Sequence, residues 1–377
     1  MSNTLTNLIP AAYRALDIVS RELTGLISAV NIDAAADTVA KGATVYSPVT
    51  STGTLGNITP AMTVTAAADQ TIASKTLAID NFKTYGFNWE AEEEFGLSTG
   101  GSMEGIMVNQ LAQGMRAHVN AIELALGVAA KNGASRAFGT AGTAPDLAAI
   151  ASIKKILDDN GAPASDRSIV IDTTAGVAFR SIANLFRVSE AGDSSLLRQG
   201  ILGDLYGFGI RESAGIQPYA AGAGTGYTTS TAGFAVGATS IPVITGSGTI
   251  LAGDVITFAG DTNKYVVTTG VAAPGPIEIA APGLRVAQGA AATKAISIVA
   301  ASTRNIALSR NAITLATRLP KYQANDMCAD RQVITDPRTG ISFELSMWPG
   351  QRMVKYEISL GYGMSVIKPE HLAVLLG

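Results

Sequence analysis

The densest group of chemically capable side chains in the sequence is the acidic run Glu90, Glu92, Glu93 and Glu94. Paired carboxylates do acid/base work when a pocket drives their pKa values apart. No flanking residues suggest such a pocket, so the run reads as the solvated start of a helix or as an ion-pair partner for another subunit. Of the 2 histidines, His118 sits within a helical stretch and His371 near the last residue, and neither a metal set nor a catalytic triad can be assembled around them. His118 is expected to pack against a helix or an interface, and His371 to be exposed. Cys328, the single cysteine, rules out an intrachain disulfide, fits folding in a reducing cytoplasm and reads as a buried small hydrophobe. Met103, Met107 and Met115 form a stripe that reads as core packing.

Phosphate-binding chemistry is equally thin. Gly222, Gly224 and Gly226 lie in a GAGTG run that superficially resembles a dinucleotide loop, but it follows no buried strand and opens no amphipathic helix. There is no GxxxxGK[ST] loop, and Asn57-Ile58-Thr59 matches a glycosylation acceptor without a secretory signal to use it. Net charge is −3 and the basic residues are scattered, which argues against a protein that grips phosphates. An enzyme is not expected, nor a cofactor, a metal or sequence-specific nucleic-acid binding.

The elements that would carry these residues follow from periodicity. Leu5, Leu8, Ile9, Ala12, Leu16, Val19, Leu23, Leu26, Ile27 and Val30 recur at helical spacing and predict an amphipathic arm with breaks at Pro10 and Gly25. From Ala43 to about Asn88 a Thr/Gly/Ser/Ala-rich loop returns through an alternating limb, with Leu77, Ile79, Tyr85, Phe87 and Trp89 on one face, predicting an extended hairpin. Ser102 is a candidate cap for a helix running to about Lys131, on the order of 45 Å long. A second helix is expected from Asp146 to near Gly161, a buried strand at Ile169 to Ile171, and a helix from Thr173 to about Phe186. Between Tyr219 and Ala301, short apolar runs separated by turn residues predict a small β-barrel or sandwich. Two alternating runs close the chain, Ile341 to Met347 after a DPRTG turn and Val354 to Val366 after WPGQR.

Composition points to self-association. The 377 residues exceed the usual size of one core, only 15% are charged and 47% are apolar, with mean hydropathy +0.26. No apolar run approaches the ~20 residues of a spanning helix, and no secretory signal is visible. A large protein interface, rather than a membrane, is the expected use of such a surface.

The order of elements, together with LLRQGILGDLYGFGIRESAGI at 196–216, RNIALSRNAITLATRLP at 304–320 and DPRTGISFELSMWPGQRMVKYEISLGYGMSVIKPE at 336–370, resembles the major capsid proteins of tailed bacteriophages, in the podophage coat subgroup. Within the insertion, LAGDVITFAG is similar to the turn and strand of that family's β-barrel domain. The resemblance implies an α+β chain with the HK97-like phage capsid fold plus a small β-barrel insertion domain. It divides the sequence into an N-terminal arm (1–42), an extended hairpin or E-loop (43–89), the spine helix of the P-domain (90–140), a first A-domain part (141–218), the insertion (219–301), an A-domain return (302–335) and the P-domain ribbon (336–377). The expected function is a shell subunit that forms pentamers and hexamers around the double-stranded DNA of a tailed phage. It would assemble in the host cytoplasm, become part of the virion and touch no membrane.

The implied partners are other copies of the chain, a scaffolding protein during assembly, a portal at one vertex and a decoration protein, with packaged DNA adjacent but not read. Candidate inter-subunit contacts are Lys75 and Lys83 on the hairpin's return limb, Glu92, Glu93 and Glu94, Asp261 and Lys264 in the insertion, and Arg338 and Arg352 at the two ribbon turns. Some shells of this fold are crosslinked between a hairpin lysine and an asparagine; no matching asparagine site is visible here, and the podophage group does not crosslink. No prodomain is evident, so no shell protease is required. The alternatives are an encapsulin-type bacterial compartment and, from another class, a β-rich adhesin or sugar-binding module.

Overall fold

The computed structural model describes residues 24–49, 55, 57, 60, 62–63, 73–99, 103–182, 202–290, 292–323, 325–336 and 339–377. The arm before residue 24, the Ser102 cap, the helix end near Phe186 and Arg338 lie outside them.

The described chain begins with a short helix α1 (Gly25–Ala29), whose Leu26 and Ile27 are buried with Val30 just beyond it. Strand β1 (Asn31–Val39) follows. A hairpin then forms between β2 (Ala43–Val49) and β3 (Ala73–Ile79), in register from Ala43 opposite Ile79 to Val49 opposite Ala73. Its alternation buries Leu77 and Ile79, as the period predicts. The limb does not run on unbroken: Asp80 divides it, and β4 (Asn81–Glu90) pairs with a different partner. Two helices come next, α2 (Ala91–Thr99) with Glu92, Glu93 and Glu94 in its first turn, and the 31-residue α3 (Met103–Gly133). Met107, Leu111, Met115, Val119, Ile122 and Leu126 of α3 are buried along one stripe.

Beyond α3 lie β5 (Arg136–Phe138), α4 (Leu147–Asp159), β6 (Arg167–Ile171), α5 (Thr173–Arg180), β7 (Asp204–Leu205), β8 (Phe208–Glu212) and β9 (Pro218–Tyr219). Both short helices start where an aspartate satisfies their first amides. Asp146 accepts from Ala149 N at 2.7 Å, and Asp172 from Ala175 N at 3.0 Å. Ile150, Ile153 and Leu157 of α4 and Phe179 of α5 share a core with Ile169 and Ile171 of β6.

Six strands then build a unit with a core of its own: β10 (Thr225–Thr229), β11 (Ser240–Ser247), β12 (Val255–Phe258), β13 (Lys264–Thr269), β14 (Pro276–Ile279) and β15 (Ile296–Ile298). Tyr227, Ile241, Val243, Ile256, Phe258, Tyr265 and Ile277 pack within it. The chain closes with β16 (Ser302–Ser309), β17 (Ile313–Pro320), β18 (Asp330–Thr335), β19 (Ser342–Gly350), β20 (Met353–Val366) and β21 (Leu372–Leu376).

Two large sheets result. In the first, β20 is the axis. Met353 to Tyr362 pair with β4 along one edge, while the other edge is filled in succession by β19, from Met353 to Ser359, and β17, from Gly361 to Val366. Strand β1 adds in parallel to β17, and β18 to β19. Helix α3 lies on this sheet, its apolar stripe sharing a core with Phe343, Leu345, Ile358, Leu360 and Tyr362. On β19 both sets of alternating residues are buried, because the polar set, Ser342, Glu344 and Ser346, is covered as well.

The second sheet runs β10-β11-β14-β13-β5-β21-β16-β6-β8-β7. The unit of residues 225–298 is therefore hydrogen-bonded to the rest of the chain through β13 and β5, Lys264 opposite Ala137 and Tyr265 opposite Arg136. His371 is not exposed, contrary to the expectation for a residue so near the terminus. It is 8% accessible because β21 carries the last residues into the middle of this sheet.

Candidate functional site

Surface and junction residues form three clusters. The first is at the ribbon tip. The turn before β20 places Arg352 at φ +58°, and its carbonyl accepts from Ala91 N at 3.1 Å, fixing α2 to the turn. Glu90, Glu92, Gln351, Arg352 and Met353 line one cleft there, so Glu92 and Arg352 of the expected contact residues are brought together. Glu92, Glu93 and Glu94 are all exposed, and Phe95 beside them is 75% accessible.

The second cluster is the junction of β13 with β5. Asp261 accepts from the Asn263 backbone N at 2.9 Å and from Tyr265 Oη at 2.7 Å, while Lys264 Nζ donates to the Gly139 carbonyl. Both expected contact residues are thus engaged within the chain. Burial, with Asp261 nearby, pushes the Tyr265 phenol up to about 12. Arg136, missed by sequence reasoning, donates from Nη1 to Asn263 Oδ1 at 3.3 Å and so ties the unit of residues 225–298 to β5.

The third cluster surrounds the C-terminal half of α3. Glu123 is buried, and its carboxylate accepts from Leu26 N and Ile27 N, each at 3.1 Å, and from Ser213 Oγ at 2.9 Å. Burial raises its pKa, and those three hydrogen bonds oppose the rise. Two turns further along, Lys131 Nζ stands 4.2 Å from the Tyr219 ring centroid, and the Arg304 guanidinium carbon lies 5.2 Å from the same ring. Burial lowers the Lys131 pKa, with Arg304 adding repulsion. Asp254, fully buried, accepts from Gly222 N and Leu251 N and explains the GAGTG run: Gly222 turns toward a carboxylate of this chain.

The remaining expected residues are scattered. Lys75 donates to the Val366 carbonyl at 3.4 Å, and Lys83 is exposed on β4. His118 is buried in α3 with Nε2 3.0 Å from the Ile358 carbonyl oxygen, and Cys328 is half-buried with Sγ 3.0 Å from the Asp330 carbonyl oxygen. Among the described residues no group of three or more His, Cys, Asp and Glu is placed to hold a metal, and no helix is long and apolar enough to cross a membrane. A lone charge inside an apolar run, Glu123 in α3, is the sequence signal for the third cluster; Arg304, between Thr303 and Asn305, carries none.

No protein-family model matches the sequence, and no curated protein matches it. Among solved structures, the chain is similar to one from Mycobacterium phage Che8, with 15% identity over 89% of this chain and 85% of that one at a TM-score of 0.49. It is also similar to the capsid structure of the cyanophage P-SCSP1u, with 12% identity over 92% and 86% at 0.49. A third is the asymmetric unit of the bacteriophage PhiM1 mature capsid, with 11% identity over 92% and 85% at 0.45.

Proposed function

We propose that this chain is the major capsid protein of a tailed bacteriophage, a non-enzymatic subunit whose copies close into the shell around double-stranded DNA. The carrying observation is the pairing of a 31-residue helix with a 14-residue strand on one sheet, flanked by a hairpin and followed by a second, mixed sheet. The long helix laid on this ribbon keeps one face exposed, from Asn109 through Asn120 to Val128, which suits lateral contacts between copies and fits the low charge of the sequence. In this reading α3 is the spine helix, β2 and β3 belong to the E-loop, β19 and β20 form the P-domain ribbon, and β6 and β16 belong to the A-domain. The unit of residues 225–298 lies in the insertion domain, and its ladder to β5 supports a role in folding its host domain; the same reading assigns it a contact with a neighbouring capsomer.

The reading further assigns pentamers and hexamers, a scaffolding protein during assembly and a portal at one vertex. Coexpression of the chain with the scaffolding protein of its own genome is expected to give closed particles by electron microscopy. Purely monomeric chain under those conditions would overturn the proposal. Replacing residues 220–300 by a short linker is expected to lower particle yield and heat stability; unchanged yield, size and stability would remove the role given to the insertion.

A further inference from the structure

Arg304 is a buried charge with incomplete hydrogen bonding. It is 2% accessible, and Nη1 donates to Ser302 Oγ at 3.2 Å, while Nε and Nη2 have no hydrogen-bond partner among the described residues. A guanidinium keeps its proton, so burial cannot be relieved by neutralisation. Asp254 attracts it, yet the oxygens of Asp254 are already taken by Gly222 N and Leu251 N. Lys131 brings a second cation to the same Tyr219 ring. A buried charge whose hydrogen bonds are incompletely satisfied is costly for a marginally stable fold.

Arg304 and Lys131 line one cleft of about 70 Å³, together with Leu124, Val128 and Ile216. That is room for about two water molecules, enough to admit a carboxylate group. Its rim is apolar and open, Leu124 being 43% and Val128 49% accessible. The chemistry that fits is a carboxylate flanked by an apolar side chain.

We propose that the cleft receives the first turn of α2, Glu92 to Glu94, from a second copy of this chain. These residues are exposed, Glu93 Oε2 accepting from Glu90 N at 3.4 Å within its own helix start, and Phe95 next to them is 75% accessible. The chain's own α2 stands at the opposite end of α3, roughly 40 Å from Lys131 at the rise of an α-helix, so only another copy delivers it. Lys131, half-buried in the cleft, then becomes the receiving half of an inter-subunit ion pair, and the buried Arg304 behind it adds to the positive field that attracts a carboxylate. This rests on the shell reading.

Assembled wild-type particles treated with a carbodiimide, which joins an amine to a carboxylate in direct contact, test it by mass spectrometry of the digested shell. A peptide linking Lys131 to Glu92, Glu93 or Glu94 is expected in particles and absent from dilute, unassembled chain. Particles in which other lysines are linked but Lys131 is joined elsewhere, or not at all, would overturn the assignment while leaving the shell reading intact. Failure of the chain to form particles would remove both. As a second measurement, the surface variant E92Q/E93Q/E94Q is expected to raise the concentration needed for assembly on the order of tenfold. The same loss, and no more, is expected when it is combined with Lys131→Met, since both remove one interaction; additive losses would count against the pairing.

Discussion

Glu123 and Ser213 meet at 2.9 Å, carboxylate oxygen to hydroxyl, where the long helix α3 passes the turn that follows β8. The same carboxylate holds the amides of Leu26 and Ile27, so one side chain fastens α1, α3 and the 213–216 turn to one another. Glu123→Ala leaves those donors buried and unsatisfied and is expected to cost about 3 kcal/mol, against about 1 kcal/mol for Ser213→Ala. Denaturant unfolding of the two variants checks the difference, and limited proteolysis is expected to cut near residues 24–30 sooner in Glu123→Ala.

Gly363 of β20 faces the hairpin, and a Cβ there would collide with the carbonyl of Ala78 on β3. Gly363→Ala is therefore expected to displace the β2–β3 hairpin and to cost about 1–3 kcal/mol as an overpacked contact. Hydrogen exchange along residues 73–79 reads the displacement directly. Unchanged protection there would show that the close approach is not needed to seat the hairpin.

Burial lowers the pKa of both histidines, with the carbonyl of Ile358 opposing the shift at His118 and Glu370 opposing it at His371. Between each folded-state pKa and the ordinary value near 6.5, the unfolded chain binds more protons than the folded one. The histidine contribution to stability is thus present above about pH 6.5 and is lost as pH falls through that window. Unfolding midpoints measured from pH 7 to pH 5 are expected to decline, and His118→Gln, which keeps an N–H for Ile358, is expected to flatten part of the decline.

Asp254 organises the approach to the six-stranded unit by holding Gly222 N at 3.0 Å and Leu251 N at 2.7 Å while fully buried. Asp254→Ala is expected to cost about 2–4 kcal/mol, concentrated in this unit. Loss of amide protection within residues 225–298, with protection of α3 and β20 retained, is the expected pattern.

Periodicity carried most of the element reading. The strand over Val354 to Val366, the stripe of α3 and the short apolar runs from Ile241 to Ile298 are all where the spacing put them, because one-sided burial imposes a period on the sequence. The change of partner at Asp80 was not legible, since β3 and β4 share one alternation and only pairing separates them. His371 is buried by the insertion of the last strand between β5 and β16, which its place near the end of the sequence does not reveal. Cys328 was expected to be buried and is only half so. Glu123, a single charge in the apolar run AIELAL, and Arg304, between the polar residues Thr303 and Asn305, are not legible from sequence because their meaning depends on groups far away in the chain.

The arrangement around β20 has a mechanical consequence. Along most of its length this strand is laced on both edges, by β4 on one side and by β19 and then β17 on the other. A pull along the strand must shear many backbone hydrogen bonds at once, whereas a pull across it would peel them one after another. The subunit is therefore stiffest along the line that β20 shares with its neighbouring strands, and tension directed that way is carried by the backbone, while side-chain contacts bear the load in the other directions.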